Sequence, residues 1–146
     1  MDFLIVGLAD PLAAASLARV SPDDVVGAFV AAIEAHDVDA AVSMMSEGIS
    51  YENMPMAPIS GRTGVASTLR GFLSPASTVD WRIVRQWTVD RTVINERLDR
   101  FQIGAGWLEL PVVGIFEIDE SDQIVLWRDY FDMNAYTSQF AELTGS

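Results

Sequence analysis

The sequence specifies an α+β domain in which helices fill the concavity of one bent, cone-like sheet with a single open mouth. Three observations carry that expectation. Apolar residues recur at helical spacing through the first half of the chain, the period changes to two after residue 77, and turn chemistry then marks off four long strands.

Ser21, Pro22 and the aspartates at 23 and 24 form a helix start: a capping hydroxyl, a proline tolerated in the first turn, and negative charge at the positive end of the dipole. The helix runs to about His36, with Val25, Val26, Phe29, Val30 and Ile33 as its buried stripe. Asp37 caps a second helix with apolar positions at Val38, Ala41, Val42 and Met45, ending near Gly48. A short strand "ISYEN" follows, and "MPMAPISGR", with Pro55, Pro58 and a turn at Gly61, is a loop. Thr63 opens a third helix, with Val65, Leu69, Phe72 and Leu73 buried, which closes before Pro75.

The four strands are expected at about 78–89, 92–103, 107–118 and 123–133, separated by "DR", "GAG" and "DESD". In the first, Val79, Trp81, Ile83, Trp87 and Val89 face inward, and in the third Leu108, Leu110, Val112, Phe116 and Ile118 do. The second strand is ambiguous. Val93, Asn95, Arg97, Asp99, Phe101 and Ile103 share one face, Ile94, Glu96, Leu98, Arg100 and Gln102 the other, and periodicity barely separates them. A last short helix carries Tyr136, Phe140 and Leu143.

The 146 residues fit one domain with a core of its own, and half of them are hydrophobic. A formal charge of −12, from nine arginines and no lysine against 21 acidic residues, opposes binding to nucleic acid or an anionic membrane, so a neutral small molecule is the better partner. Without cysteine there is no disulfide, thiolate nucleophile or cysteine-ligated metal. The opening "MDFLIVGLADPLAAASLARV" lacks a basic start, carries Asp2 and Asp10 and breaks at Pro11, so residues 1–20 are expected to be an arm on a domain spanning 21–146, in a cytoplasmic protein.

One stretch points to chemistry. In "VLWRDYFDM", residues 125–133, strand alternation places Val125, Trp127, Asp129, Phe131 and Met133 on one face, apolar except for Asp129. A buried carboxylate needs partners: Asp129 either caps a turn or pairs with a buried arginine, or it is a catalytic carboxyl. The single histidine, His36, ends a helix and suits a structural role there, which leaves a nucleophile without its usual base. No cluster has metal-ligand spacing and no glycine-rich loop links a strand to a helix, so neither metal nor cofactor is expected. What remains is polar residues set in apolar strands: Tyr51 and Asn53 project together, as do Arg97 and Asp99. Meeting Asp129 in one cavity, they would compose an acid/base site for a neutral substrate and water. Alternatively, Arg97 and Asp99 form a solvent-facing pair on an edge strand, and Tyr51 and Asn53 a strand end and turn. The four tryptophans are most simply core and cavity wall.

The segments "YENMPMAPISGR", "ERLD" and "GIFEIDESDQIVLWRDYFD" resemble, in the same order, three motifs of the limonene-1,2-epoxide hydrolases. The resemblance implies a six-stranded mixed cone of the nuclear transport factor two-like kind, shared with ketosteroid isomerases, usually as a homodimer. It implies one-step hydrolysis of an epoxide to a vicinal diol without cofactor or covalent intermediate. By position, Asp129 resembles the base that deprotonates water, Tyr51 and Asn53 the groups that hold that water, Asp99 the acid that protonates the epoxide oxygen, and Arg97 the bridge between the aspartates. The inward face of the second strand would then be its odd one. Met54, Met56, Ile59, Leu73 and Trp107 are expected to shape an apolar pocket for a cyclic, terpene-like or aliphatic epoxide. An isomerase or cyclase on the same fold, or a non-catalytic small-molecule-binding dimer module, are the competing readings.

Overall fold

The computed structural model describes residues 20–146 except Pro55. The expected arm therefore lies, but for Val20, outside the described residues. Among the described residues four helices, α1 (Pro22–Glu34), α2 (Val38–Ser43), α3 (Arg62–Leu73) and α4 (Met133–Thr144), accompany six strands: β1 (Met45–Met54), β2 (Ile59–Ser60), β3 (Thr78–Val89), β4 (Thr92–Ile103), β5 (Gly106–Ile118) and β6 (Ile124–Tyr130). The strands form one sheet in the order β2-β1-β6-β5-β4-β3. Only β1 and β6 run parallel; the remaining neighbours are antiparallel. Among the described residues, no helix is long and apolar enough to cross a membrane.

The helix starts follow from local chemistry. The Ser21 hydroxyl accepts from the Asp24 amide while the Asp24 carboxylate accepts from the Ser21 amide, a reciprocal cap that satisfies two otherwise orphaned donors. Asp37 and Asp132 cap α2 and α4 with their side chains. The expected stripe of α1 is buried throughout, and Phe29 meets Trp127 of β6 edge to face, with ring centroids 4.8 Å apart. His36 has a left-handed φ of 58° just beyond α1, and its Nε2 lies 3.0 Å from the Ala76 carbonyl, so it ties a helix end to the start of β3.

Three expectations need correction. The second helix stops at Ser43, and Met45, assigned to its stripe, opens the ten-residue β1 as a fully buried residue. The final strand ends at Tyr130 because Asp132 caps α4, which leaves Met133 helical. On β3, Val79 and Trp81 are buried as expected, but Ile83, Trp87 and Val89 are exposed. For Trp87 and Val89 the reason is a bulge at Val84: Ile83 pairs with Arg97 and Arg85 already with Glu96, so one residue is unpaired and the alternation inverts beyond it. Ile83, before the bulge, shares the phase of its partner Arg97 and is exposed on the edge strand of the sheet. Gln86 and Thr88 then face the helices, where the Thr88 hydroxyl donates to Asp23 at 3.0 Å, and Trp87 and Val89 turn to the outer surface.

Candidate active site

The site is assembled from β1, β4 and β6. Arg62 at the start of α3 donates from Nε to the Met45 carbonyl at 2.8 Å, and the Gly61 amide donates to the Ile49 carbonyl at 2.9 Å. Gly61 holds a φ of 85°, a conformation that suits glycine. The Gly-Arg pair thus clamps β1 where its register with β6 shifts, and beyond the shift Tyr51 lies beside Trp127 and Asn53 beside Asp129. The Tyr51 and Trp127 rings stack at 3.9 Å. The Trp127 Nε1–H, through this packing, donates to Asp129 Oδ1 at 2.9 Å.

On β4 every odd residue from Val93 to Ile103 is buried. That alternation carries Arg97 and Asp99 to the inside, and Arg97, whose side chain has no solvent exposure, spans the two aspartates. Its Nε and Nη2 donate to the two oxygens of Asp99, each at 2.9 Å, and Nη2 also donates to Asp129 Oδ2 at 2.8 Å. Asp129 therefore does pair with a buried arginine. That pairing does not distinguish structure from catalysis; what bears on the question is that both carboxyls also face open space.

Tyr51, Asn53, Asp99 and Asp129 line one cavity of about 170 Å³, walled by Phe72, Leu110, Phe131 and other apolar side chains. At roughly 10–15 Å³ for each water-sized occupant, that is room for a ligand on the order of ten non-hydrogen atoms. Arg97 sits behind the aspartates rather than in the wall.

Burial differentiates the ionisable groups. Loss of solvent pushes the Asp99 carboxyl up to about 6, against the opposing pull of the Arg97 charge. Tyr51 is pushed above the ordinary phenol range by burial and next by the Asp129 charge, so it stays a neutral donor. For Arg97 burial works against the charged form, but the flanking Asp129 and Asp99 outweigh it and hold the guanidinium ionised. A carboxyl whose proton is held up to about pH 6 and a second carboxyl, facing the same cavity across a fixed cation, can act on opposite ends of one reacting system.

The structure brings the five expected polar residues together, and of the five expected pocket residues it puts only Met56 in the cavity wall. Met54 ends β1 with its neighbour Tyr130 across the ladder, and Ile59 packs under Gly64 of α3. Leu73 is buried in the core on α3. Trp107 projects from the outer face of β5, where the Arg100 guanidinium covers its ring at 4.1 Å. In their place the wall takes Thr68 and Phe72 from α3, Trp81 from β3, and Met133 and Tyr136 from α4. Periodicity had marked Phe72 and Trp81 as inward; it carries no sign of which inward positions meet a void.

Residues 20–142 match the limonene-1,2-epoxide hydrolase catalytic domain. Epoxide hydrolase EphG of Mycobacterium tuberculosis is 32% identical over 108 residues, covering 74% of this chain and 71% of that protein. A solved structure of an M. tuberculosis LEH-like epoxide hydrolase superposes with a TM-score of 0.68 at 29% identity, over 84% of this chain and 94% of the other. A SnoaL-like polyketide cyclase from Shewanella denitrificans (TM-score 0.73, 11% identity, 83% and 97% covered) and a ketosteroid isomerase-like protein from Catenulispora acidiphila (0.71, 16%, 82% and 93%) share the fold alone. From its matched domain and its relatives, the chain belongs to the limonene-1,2-epoxide hydrolase family.

Proposed function

We propose that the protein hydrolyses an apolar epoxide to a vicinal diol in one step. The observation that carries this reading is the pair of carboxyls, Asp99 and Asp129, facing one apolar cavity while sharing the buried Arg97. Asp129 takes a proton from a water that Tyr51 and Asn53 help to hold. The water oxygen forms a bond to one ring carbon as the bond from that carbon to the epoxide oxygen breaks, and Asp99 gives its proton to the departing oxygen. Each turnover leaves the proton on Asp129 and removes one from Asp99, and exchange with solvent restores the starting state.

Both transfers are needed together because a strained ether still leaves poorly as an alkoxide. Each positioned acid or base contributes roughly 10²–10⁴-fold, and a fixed water adds a proximity effect. Burial first, and then repulsion from the Asp129 charge, favours the protonated form of Asp99, while the Arg97 charge offsets part of that effect and holds both carboxyls in place. Walls of Met56, Phe72, Leu110, Val112 and Phe131 favour a cyclic, terpene-like or aliphatic substrate. A proton-shuttling isomerase needs one base and one donor; the second carboxyl is what supports hydrolysis.

The test is a single turnover with a panel of apolar cyclic epoxides in ¹⁸O-labelled water. Label in the diol and none in the protein is expected, and label on an aspartate would reject direct attack by water. We further propose a homodimer formed through the outer sheet face, where Val113 and Tyr130, cross-strand neighbours, are exposed together with Trp87. Light scattering at micromolar concentration is expected to return twice the chain mass, and Trp87→Glu to return a single chain; a monomeric parent chain would refute it.

A further inference from the structure

We infer that Asn95, held in orientation by Gln86, is a positioning residue that fixes how Arg97 divides its donors between Asp99 and Asp129. The inference rests on the function proposed above for its kinetic arm only. A guanidinium has five N–H donors and no acceptor. Four go to the aspartates: Nε and Nη2 to Asp99, Nη2 and Nη1 to Asp129. The fifth goes from Nη1 to Asn95 Oδ1 at 3.0 Å.

Asn95 is fully buried and two residues from Arg97 on the same strand face, so it stands behind the ion cluster and outside the cavity wall. Only its oxygen can face Arg97. Its Nδ2 must then point away, and it donates to Gln86 Oε1 at 3.0 Å. An Asn95 amide turned over would set two N–H donors against a cation, so the Gln86 acceptor selects the orientation that the guanidinium requires. Gln86 faces inward only because the bulge at Val84 inverts β3 beyond it.

A neutral amide suits this place better than a third carboxylate, whose charge would raise both aspartates and compete for the same cation. Space for the arrangement comes from Gly114, opposite Asn95 on β5: a Cβ there would lie 2.8 Å from Asp129 Oδ1 and 3.0 Å from Asn95 Oδ1. Asparagine, glycine and the bulge together hold the fork of Arg97 in one rotational setting.

The experiment compares Gln86→Met, which keeps volume and removes the acceptor, with Gln86→Glu, which keeps it. Gln86 is only half-buried, so both chains are expected to fold, and thermal midpoints check this. In Gln86→Met, kcat is expected to fall about tenfold with KM within about twofold, and Gln86→Glu to recover most of that loss. Independently of turnover, the Arg97 Nη proton signals in the NMR spectrum are expected to be resolved in the parent protein, to broaden in Gln86→Met and to stay sharp in Gln86→Glu. Unchanged kcat and unchanged Nη signals in Gln86→Met would overturn the inference. Absence of epoxide turnover in the parent protein would instead remove the functional reading and leave the Nη signals to decide.

Discussion

Strand β4 carries two clusters built from the same parts on opposite faces of the sheet. Inside, Arg97 lies between Asp99 and Asp129 and over the Trp81 ring at 4.8 Å. Outside, Arg100 lies between Asp80, at 2.9 Å, and Glu109, at 2.7 Å, over the Trp107 ring at 4.1 Å. The difference is water. Asp99 has 5% of its side chain exposed and is driven up to about 6 by burial, against Arg97. Asp80 has 31% exposed; its slight burial also raises it, but hydrogen bonds from Arg100 and Arg82 outweigh that and hold it below the ordinary carboxylate range. An arginine between two acids is thus a surface tie or a device for handling protons, according to how much solvent the sheet admits.

The comparison breaks most visibly in activity. Arg97→Ala and Asp129→Asn are each expected to reduce diol formation by on the order of 10³-fold or more, while Arg100→Ala leaves it within about twofold. A comparable loss in Arg100→Ala would erase the distinction between the faces. Stability separates them next: Arg97→Met strands two buried carboxylates and is expected to cost about 3–5 kcal/mol in denaturant unfolding, whereas Arg100→Met leaves the midpoint nearly unchanged.

Smallest and most diagnostic is pH. If Asp99 must carry the proton, kcat/KM falls as pH rises through about 6, and a profile flat to pH 8 would remove it as the acid. The stability signs are opposite. Because the folded value of Asp99 is raised, its contribution is fully present below its ordinary value near 4 and is lost as pH rises through about 6. Asp80, lowered in the fold, contributes above its ordinary value and loses that as pH falls.

The two faces of β4 also mark where the sequence stopped being legible. Helix caps, the stripes of α1 and α3, and the alternation of β5 are local signals, and they located their elements to within a few residues. Nothing local chose between the Arg97 and Arg100 faces, because both alternate charged and apolar residues; the choice came from a resemblance that reaches across the chain. The gathering of Tyr51, Asn53, Arg97, Asp99 and Asp129 in one place was legible by that same route. The pocket wall was not, since Leu73 and Phe72, adjacent on α3, are equally apolar and only the tertiary arrangement opens a void beside the second. The orientation of Trp87 and Val89 was misread for a different reason: a period-two count assumes an unbroken ladder, and a bulge leaves no mark in composition.

That bulge makes β3 two half-strands of opposite phase joined at one surplus residue. Loss of the single codon for Val84 would close the ladder, since Ile83 already faces Arg97 and Arg85 already faces Glu96. Gln86 would stay opposite Asn95 and Trp87 opposite Ile94, so the amide would remain behind the ion cluster and the indole on the outer surface. Length at this point of β3 is therefore free to fall by one without changing which side chains stand behind the arginine, because the surplus residue has no partner to lose.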